Sequence, residues 1–384
     1  MGSGKRKEDP PSERHRCARV EMFSNHSKDR GSNMQVTTYG VDLAKRVFQV
    51  HWVEGQTGEV KRKTLLRQEV GEFFAQRELG VVAMEACGSA HHWGRLLSRL
   101  GHQVRLVSAQ FVRPFVKTNK TDAADAQAIW EAAQRPEMRF VGLKSEEQQA
   151  LLSLHRVRQQ LVKVRTMQAL QIRSLLYEFG IVLPKSWRAL LVQAGSVLAD
   201  STRNEIPQLL RGELLSQLES LRTLTSRIQQ LEQAIASYRG RLEDCKRIEA
   251  IPGIGRLTSS ALVATIGDAR TFRSGREMAA FLGLVPRQSG TGGRVRLMGI
   301  SKRGDPYLRT LLIHGARSVI THGSRPGRTL EPWIQTLLLR RPKNVAIVAL
   351  ANKMARTAWA LLAHGRSFDR SWGQALPAPV NLTT

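Results

Sequence analysis

The sequence predicts an α/β core, then long helices, then a mostly helical basic part, an α/β plus α chain. Three observations carry the prediction. Short β-rich runs alternate with short helical stretches from Val36 to Gln110. Leu, Val and Ile then recur at three- and four-residue spacing through Leu151–Phe179 and again through Leu209–Leu242. From Ile248 onward the chain is punctuated by glycine and strongly basic: between Ser301 and Arg356, 11 Lys+Arg stand against two acids, Asp305 and Glu331, a local +9.

Element by element, Val36–Leu43 and Val47–Val53 are β-rich and joined by a short charged turn, with Glu59–Leu66 as a third strand. Val70–Arg77 reads as a short helix, Val81–Cys87 as a buried strand, His91–Leu100 as a helix and Val104–Ser108 as a strand. Hairpin strands followed by strand–helix–strand is the order of a ribonuclease H-like α/β core. The two long amphipathic runs, separated by a linker with Gly180, Pro184 and Gly195, pack on each other or on a second subunit as a coiled coil. The last clear helix is Val345–Leu362. The expected organisation is a disordered extension over 1–35, an α/β domain over 36–145, a helical coiled-coil region over 146–245, a third domain over 246–370 and a tail over 371–384. Met34 stands just before the first strand as a candidate start.

Composition narrows the function. The chain has 384 residues with 59 Lys+Arg against 32 Asp+Glu, so the net charge is 59 − 32 = +27. Such a surplus repels itself and is best tolerated beside a polyanion, which points to nucleic acid. A hydrophobic content of 41% excludes wholesale disorder. Cys17, Cys87 and Cys245 lie too far apart for a disulfide framework or a Cys-rich zinc module, and they fit a reducing cytosol. No run of about 18 apolar residues is present, so no membrane span is expected. The polar start, Met1-Gly-Ser-Gly-Lys-Arg-Lys, is unlike a secretory signal.

Four acids stand out. Asp42, in Tyr39-Gly-Val-Asp-Leu-Ala-Lys45, lies near a strand end, where an acid points to solvent or to a metal. Glu85 lies in the apolar run Val81-Val-Ala-Met-Glu-Ala-Cys-Gly-Ser89. There a carboxylate costs several kcal/mol unless it is paired or metal-bound. In Lys120-Thr-Asp-Ala-Ala-Asp-Ala126, Asp122 and Asp125 share one face of a helix start. Solvated turns, an arginine salt bridge and ordinary helix-start acids account for each one singly. Together they form a hard-oxygen set suited to Mg²⁺ or Mn²⁺, which supports phosphoryl transfer.

These three motifs resemble the RuvC-like domain of insertion-sequence 110 family transposases, the DEDD, bridge-RNA-guided recombinases. The stretches Ile248-Glu-Ala-Ile-Pro-Gly-Ile-Gly255, Phe281-Leu-Gly-Leu-Val-Pro-Arg-Gln288 and Gly299-Ile-Ser-Lys-Arg-Gly-Asp-Pro-Tyr-Leu-Arg309 resemble that family's second, transposase domain. The resemblance runs from about Val36 to Phe368, and the nearest branch is the 1111 subgroup. It implies a DNA transposase or recombinase directed by a noncoding guide RNA, acting on donor and target DNA as a dimer or tetramer. Asp42, Glu85, Asp122 and Asp125 would hold the metal. No membrane partner is implied, and the expected place is the prokaryotic cytoplasm, with the nucleoid.

Ile251–Gly255 before the helical stretch Leu257–Ile266 reads as a helix-hairpin-helix element whose backbone N–H groups can face phosphate, or as a plain structural turn. Pro286-Arg-Gln-Ser-Gly-Thr-Gly-Gly-Arg294 reads as a flexible glycine loop carrying hydroxyls among Arg287, Arg294 and Arg296, or as a hairpin turn with no chemistry. Covalent phosphoryl transfer needs a hydroxyl set among guanidinium groups. The resemblance implies a serine nucleophile in this loop. Counted from Pro286 the family's position falls on Thr291, whereas the local Ser-Gly pair is Ser289-Gly290. Ser289 is favoured as the less hindered primary hydroxyl and Thr291 stays open. Ser301 reads as a helix N-cap or a phosphate contact. Lys302, Arg303, Arg309 and Arg317 follow at near-helical spacing as a nucleic-acid face or a merely solvated basic one. Two rivals remain: a metal-dependent RuvC-type junction nuclease without covalent chemistry, and a non-enzymatic basic nucleic-acid-binding scaffold.

Overall fold

The computed structural model describes residues 36–116, 121–200, 206–292, 294–325 and 330–369. The extension expected over 1–35 and the tail expected over 371–384 lie outside the described residues.

Six strands, β1 (Thr38–Leu43), β2 (Val47–Val53), β3 (Val60–Leu66), β4 (Val81–Glu85), β5 (Gln103–Val107) and β6 (Phe140–Val141), form one mixed sheet in the order β3-β2-β1-β4-β5-β6. β1, β2 and β3 are antiparallel, β1, β4 and β5 run parallel, and β6 returns antiparallel to β5. Alternation places Phe48, Val82, Met84 and Leu106 on one face, against α1 (Val70–Ala75) and α2 (Ala90–Arg99). Ala83 and Val107 point to the other face, beyond the short α3 (Ala109–Val112), against Ala128, Ile129 and Ala132 of α4 (Asp122–Ala133). The outer strand β3 carries Lys61, Arg62 and Lys63, charges that discourage a further strand from pairing there.

α5 (Glu146–Glu178) and α7 (Gln208–Arg239) are each about 50 Å long at 1.5 Å per residue. A capping box starts α5: the Ser145 hydroxyl accepts from Gln148 N–H while the Gln148 side chain accepts from Ser145 N–H. The two helices pack along each other, with Arg158 Nε donating to Glu232 Oε1 (2.8 Å). At their far end α6 (Trp187–Ala199) buries Leu190, Ala194 and Leu198 against Ile172, Leu176, Leu214 and Leu218. The linker expected there is therefore shorter than the sequence suggests. Gly195 lies inside α6, because apolar residues at i, i+4 and i+8 outweigh the roughly 1 kcal/mol that one helical glycine costs.

The C-terminal part packs α8 (Glu243–Glu249), α9 (Arg256–Ile266), α10 (Gly275–Phe281), α11 (Pro306–Gly323), α12 (Pro332–Arg340) and α13 (Lys343–His364) around one core that includes Ile248, Leu262, Met278, Leu312, Leu350 and Met354. Between α10 and α11 a ribbon of β7 (Pro286–Thr291) and β8 (Arg294–Ile300) leaves this core. The Pro252-Gly253 turn between α8 and α9 presses backbone to backbone on α11: a Cβ at Gly315 would lie 2.0 Å from the Gly253 carbonyl oxygen. Among the described residues α13 alone is long and apolar enough to cross a membrane by length and composition, although Lys343, Lys353 and Arg356 interrupt it. Its Ala346, Ile347, Leu350, Ala351, Met354 and Ala358 are buried in the protein core. His155 of α5 ties the long helices to this part. Its Nδ1 lies 2.9 Å from the Tyr307 hydroxyl and its Nε2 lies 3.0 Å from Ser260 Oγ. Burial, then the nearby Arg158, pushes this imidazole down to about 4 and keeps it neutral.

Candidate active site

Asp42 sits near the carboxyl end of β1, one residue beyond the paired rung Val41–Met84, and Glu85 ends the neighbouring β4. Asp122 and Asp125 occupy the first turn of α4, whose N-cap Thr121 accepts from Ala124 N–H (3.3 Å). One carboxylate oxygen from each of Asp42, Asp122 and Asp125 lies within 4.8 Å of the others. Glu85 is outside that group, but its charge reaches Asp42. Burial first, then the charges of Asp125, Asp122 and Glu85, push the Asp42 carboxyl up to about 6. Like charges held this close need a counter-charge. An all-carboxylate set without His or Cys suits a hard divalent cation rather than zinc.

The approach of α4 to β1 depends on Gly40. A Cβ there would lie 2.4 Å from the Ala126 carbonyl oxygen and 2.6 Å from Trp130 Cβ. Helix backbone therefore rests directly on strand backbone two residues before Asp42, and that contact brings Asp122 and Asp125 to it. Gly40→Ala should lift α4, costing about 1–3 kcal/mol of stability as overpacking. It should lower cleavage by about a hundredfold through displacement of the acids. A Gly40→Ala chain that melts normally and cleaves at full rate would show that this close approach is dispensable.

The raised Asp42 value gives a signed stability prediction. Without an ion, the folded chain holds this proton more tightly than the unfolded chain, whose Asp titrates near about 3.9. The group's contribution is full below that value and is lost as pH rises through about 6. A divalent ion takes the proton's place. Millimolar Mg²⁺ or Mn²⁺ should raise the melting temperature by a few degrees at about pH 7.5 and hardly at all at about pH 5. Equal shifts at both pH values would rule out ion uptake at Asp42.

Of the two readings of this stretch, a flexible loop or a hairpin turn, the structure has the hairpin: a β-ribbon. Every described residue from Pro286 to Gly299 is exposed. Pairing sets Ser289 opposite Arg296 and Thr291 opposite Arg294, with Gly290 opposite Val295 and Gln288 opposite Leu297. Opposed residues share a face. One face thus carries both hydroxyls and two guanidinium groups, while the other carries Val295 and Leu297. Arg287 lies at the irregularity in β7 between Pro286 and Gln288.

The base of the ribbon is firmly built. Ser301 N–H donates to the Val285 carbonyl (2.8 Å) and Lys302 N–H to that of Gly283 (3.1 Å). A Cβ at Gly304 (φ +81°) would lie 1.9 Å from the Phe281 carbonyl oxygen. Lys302, at φ 54°, is the one non-glycine with positive φ among the described residues. Lys302 and Arg303 are exposed in this turn rather than on a helix shared with Arg309 and Arg317, because α11 starts only at Pro306. Arg309 Nη1 donates to the carbonyls of Leu282 and Arg303, so its guanidinium braces the turn. Of the two roles read for Ser301, a helix N-cap or a phosphate contact, the N-cap falls to another residue. The Asp305 carboxylate caps α11, accepting from Tyr307 N–H (2.7 Å), since it directly precedes the helix.

The structure thus brings Asp42, Asp122 and Asp125 together on the sheet and places Ser289, Thr291, Arg294 and Arg296 on the ribbon. An ion pair between Arg139 and Glu277 (2.8 Å) joins the sheet side to the C-terminal helices.

Comparison with known proteins follows the same two-part division. Residues 39–181 match the DEDD transposase family of IS110 type, and residues 245–330 match the family described as Transposase IS116/IS110/IS902 family. A Pseudomonas aeruginosa protein named "Probable family 20 transposase" is 50% identical over 86% of this chain and 97% of its own length. The transposase for insertion sequence element IS1328 of Yersinia enterocolitica is 41% identical, over 87% of this chain and 99% of its own. The transposase for insertion sequence element IS1111A of Coxiella burnetii is 38% identical, over 94% and 99% respectively, which is consistent with the 1111 subgroup. With both family segments in order and whole relatives covered, the chain belongs to the IS116/IS110/IS902 family of transposases, as a DEDD-type enzyme that cleaves and rejoins DNA.

Proposed function

We infer that this transposase moves its own insertion element by site-specific phosphoryl transfer, with a covalent link between a ribbon hydroxyl and DNA as the intermediate. The observation that carries the reading is the convergence of three carboxylates, from a strand and from a separate helix, within 4.8 Å. Asp42, Glu85, Asp122 and Asp125 would hold Mg²⁺ or Mn²⁺, and the bound ions would stabilise charge at the oxygens of the phosphate being cut. Ser289, with Thr291 as the alternative, attacks the scissile phosphorus. The Oγ–P bond forms as the bond from phosphorus to a deoxyribose oxygen breaks. The hydroxyl proton passes to water and the leaving oxygen takes one up. Arg294 and Arg296, on the same ribbon face, are placed to stabilise the charge that develops on phosphate. Attack by the DNA hydroxyl of a second strand then releases the protein and joins the new ends.

Arg287, Lys302 and Arg303 hold backbone phosphates beside this face, and the turn before α9 contacts phosphate as a helix-hairpin-helix. A noncoding bridge RNA supplies the sequence match, a role that the +27 surplus accommodates. The chain acts as a dimer or tetramer. Val157, Val164, Met167, Leu170 and Tyr177 of α5 are exposed, and a second subunit covers them as a coiled coil. Acting on chromosomal DNA, it works in the bacterial cytoplasm at the nucleoid. The test is purification with the element's flanks expressed, followed by sequencing of copurifying RNA and a cleavage assay with Mg²⁺. One specific RNA and RNA-dependent cutting of donor and target are expected. Cutting without any specific RNA would remove the guide and keep the recombinase.

A further inference from the structure

Lys144, between β6 and α5, crosses α2 at Gly94, where a Cβ would lie 2.6 Å from Leu143 Cδ1. Its main chain is fixed on both sides. The Lys144 N–H donates to His91 Nδ1 (3.3 Å), and its carbonyl accepts from Arg95 Nη1 (2.8 Å). The Lys144 side chain then folds back so that Nζ lies 3.1 Å from His91 Nε2.

A backbone N–H can only donate, so Nδ1 is the bare nitrogen of the ring. The neutral imidazole then carries its proton on Nε2, which faces Nζ. An ammonium has no lone pair to accept that proton, so only a neutral Lys144 amine satisfies the contact. The surroundings agree. Burial, then Arg156, draws the Lys144 amine below the ordinary lysine value, and burial with Lys144, Arg95 and Arg156 pushes His91 down to about 4. From α2 the facing charges are His91 and Arg95; from α5 they are Arg156 and Glu146. The Glu146 carboxylate lies 3.6 Å from Arg95 Nε and is mostly in solvent. Arg95 Nε is buried without a hydrogen-bond partner.

We propose that Lys144, Arg95 and Arg156 form a seat for a backbone phosphodiester of the DNA, and that the seat takes up one proton as it fills. On binding, the amine takes a proton from solvent, leaves His91 Nε2–H and donates to a phosphate oxygen. Its bonds to carbon are untouched and His91 keeps its own proton. DNA is the ligand because of position. His91 is in the first turn of α2, which follows the end of β4, and Asp42 and Glu85 lie at that same end of the parallel strands. A strand cut at the acids carries neighbouring phosphates past this point. The seat rests on the DNA-cutting reading above.

The full chain should be titrated with a fluorescent 30-base-pair DNA duplex, and separately with an RNA of equal length, in EDTA between about pH 6.5 and 9. Binding to DNA should take up about one proton, read by calorimetry in two buffers of different ionisation enthalpy. Lys144→Met should weaken binding about tenfold and reduce the salt slope by about one. Lys144→Arg should bind well with the proton uptake gone. In the unmodified chain Lys144 should be acylated faster than surface lysines at neutral pH, and DNA should protect it. Slow acylation, or DNA binding indifferent to both substitutions, overturns the seat alone. Proton uptake with RNA and none with DNA overturns the assignment to DNA. A chain that binds no DNA at any pH overturns the DNA-acting reading itself, and the seat with it.

Discussion

Asp125→Asn is expected to lower ion-dependent DNA strand cleavage by at least about a thousandfold while leaving the chain folded and no less stable. The size follows from the several kcal/mol of charge stabilisation that a well-held divalent ion supplies, at about 1.4 kcal/mol per tenfold. Asn keeps the shape and one acceptor oxygen, so packing of α4 on β1 is preserved. Stability should not fall, because Asp125 is the charge that most raises Asp42 after burial. Removing it lets Asp42 ionise more easily, so the ion-free chain should lose less stability as pH rises through about 6. The melting shift on adding Mg²⁺ at about pH 7.5 should shrink together with cleavage. Cleavage assays beside circular-dichroism melts read both. Full cleavage by Asp125→Asn would show that this acid takes no part in the chemistry. Loss of cleavage with loss of folding would leave the acids structural, and Asp122→Asn, on the exposed side of the cluster, separates that case.

What was legible in the sequence was local, and what was not depended on distant backbone. The Val47–Val53 alternation specifies β2, and the three-residue spacing of Asp122 and Asp125 already sets both on one turn of α4. That Asp42 meets them could not be read, because it follows from α4 resting on Gly40, a contact with no local signature. The sequence leaves the ribbon open between a loop and a hairpin for a related reason. Pro286–Thr291 is poor in strand-forming residues, and its pairing comes from a turn at Gly292 (φ +56°) and from a partner strand that supplies Val295 and Leu297. β6 is two residues long and exists only because Leu106 and Val107 offer it a register. The Lys144–His91 contact joins residues 53 apart, and nothing in either neighbourhood announces the other. Gly195 failed in the opposite sense: a local signal for a break was overridden by three apolar residues that the α5–α7 pair buries.

The ribbon face makes the second large effect a choice between two hydroxyls. Ser289→Ala should abolish the covalent protein–DNA adduct and strand joining by at least about 10⁴-fold, the order seen when a nucleophile is removed from a catalytic group that acts as a unit. Thr291→Ala should cost only a few-fold. Both side chains share the arginine face, so charge does not separate them, but position and branching do. Thr291 abuts the Gly292 turn, and its extra methyl restricts the rotamers from which a secondary hydroxyl can attack in line. Ser289 lies two residues further from the tip, opposite Arg296, with an unhindered primary hydroxyl. The readout is end-labelled DNA run on a denaturing gel, where a covalent adduct survives heat and detergent. An adduct that persists in Ser289→Ala and vanishes in Thr291→Ala moves the nucleophile to Thr291. If cleavage persists at full rate in both variants and no adduct forms, the chain is a hydrolytic junction nuclease and the ribbon only binds. Arg296→Ala then decides whether the pairing matters chemically. It should lower adduct formation severely while the Mg²⁺-dependent melting shift stays intact, because the guanidinium serves the phosphate and the acids serve the ion.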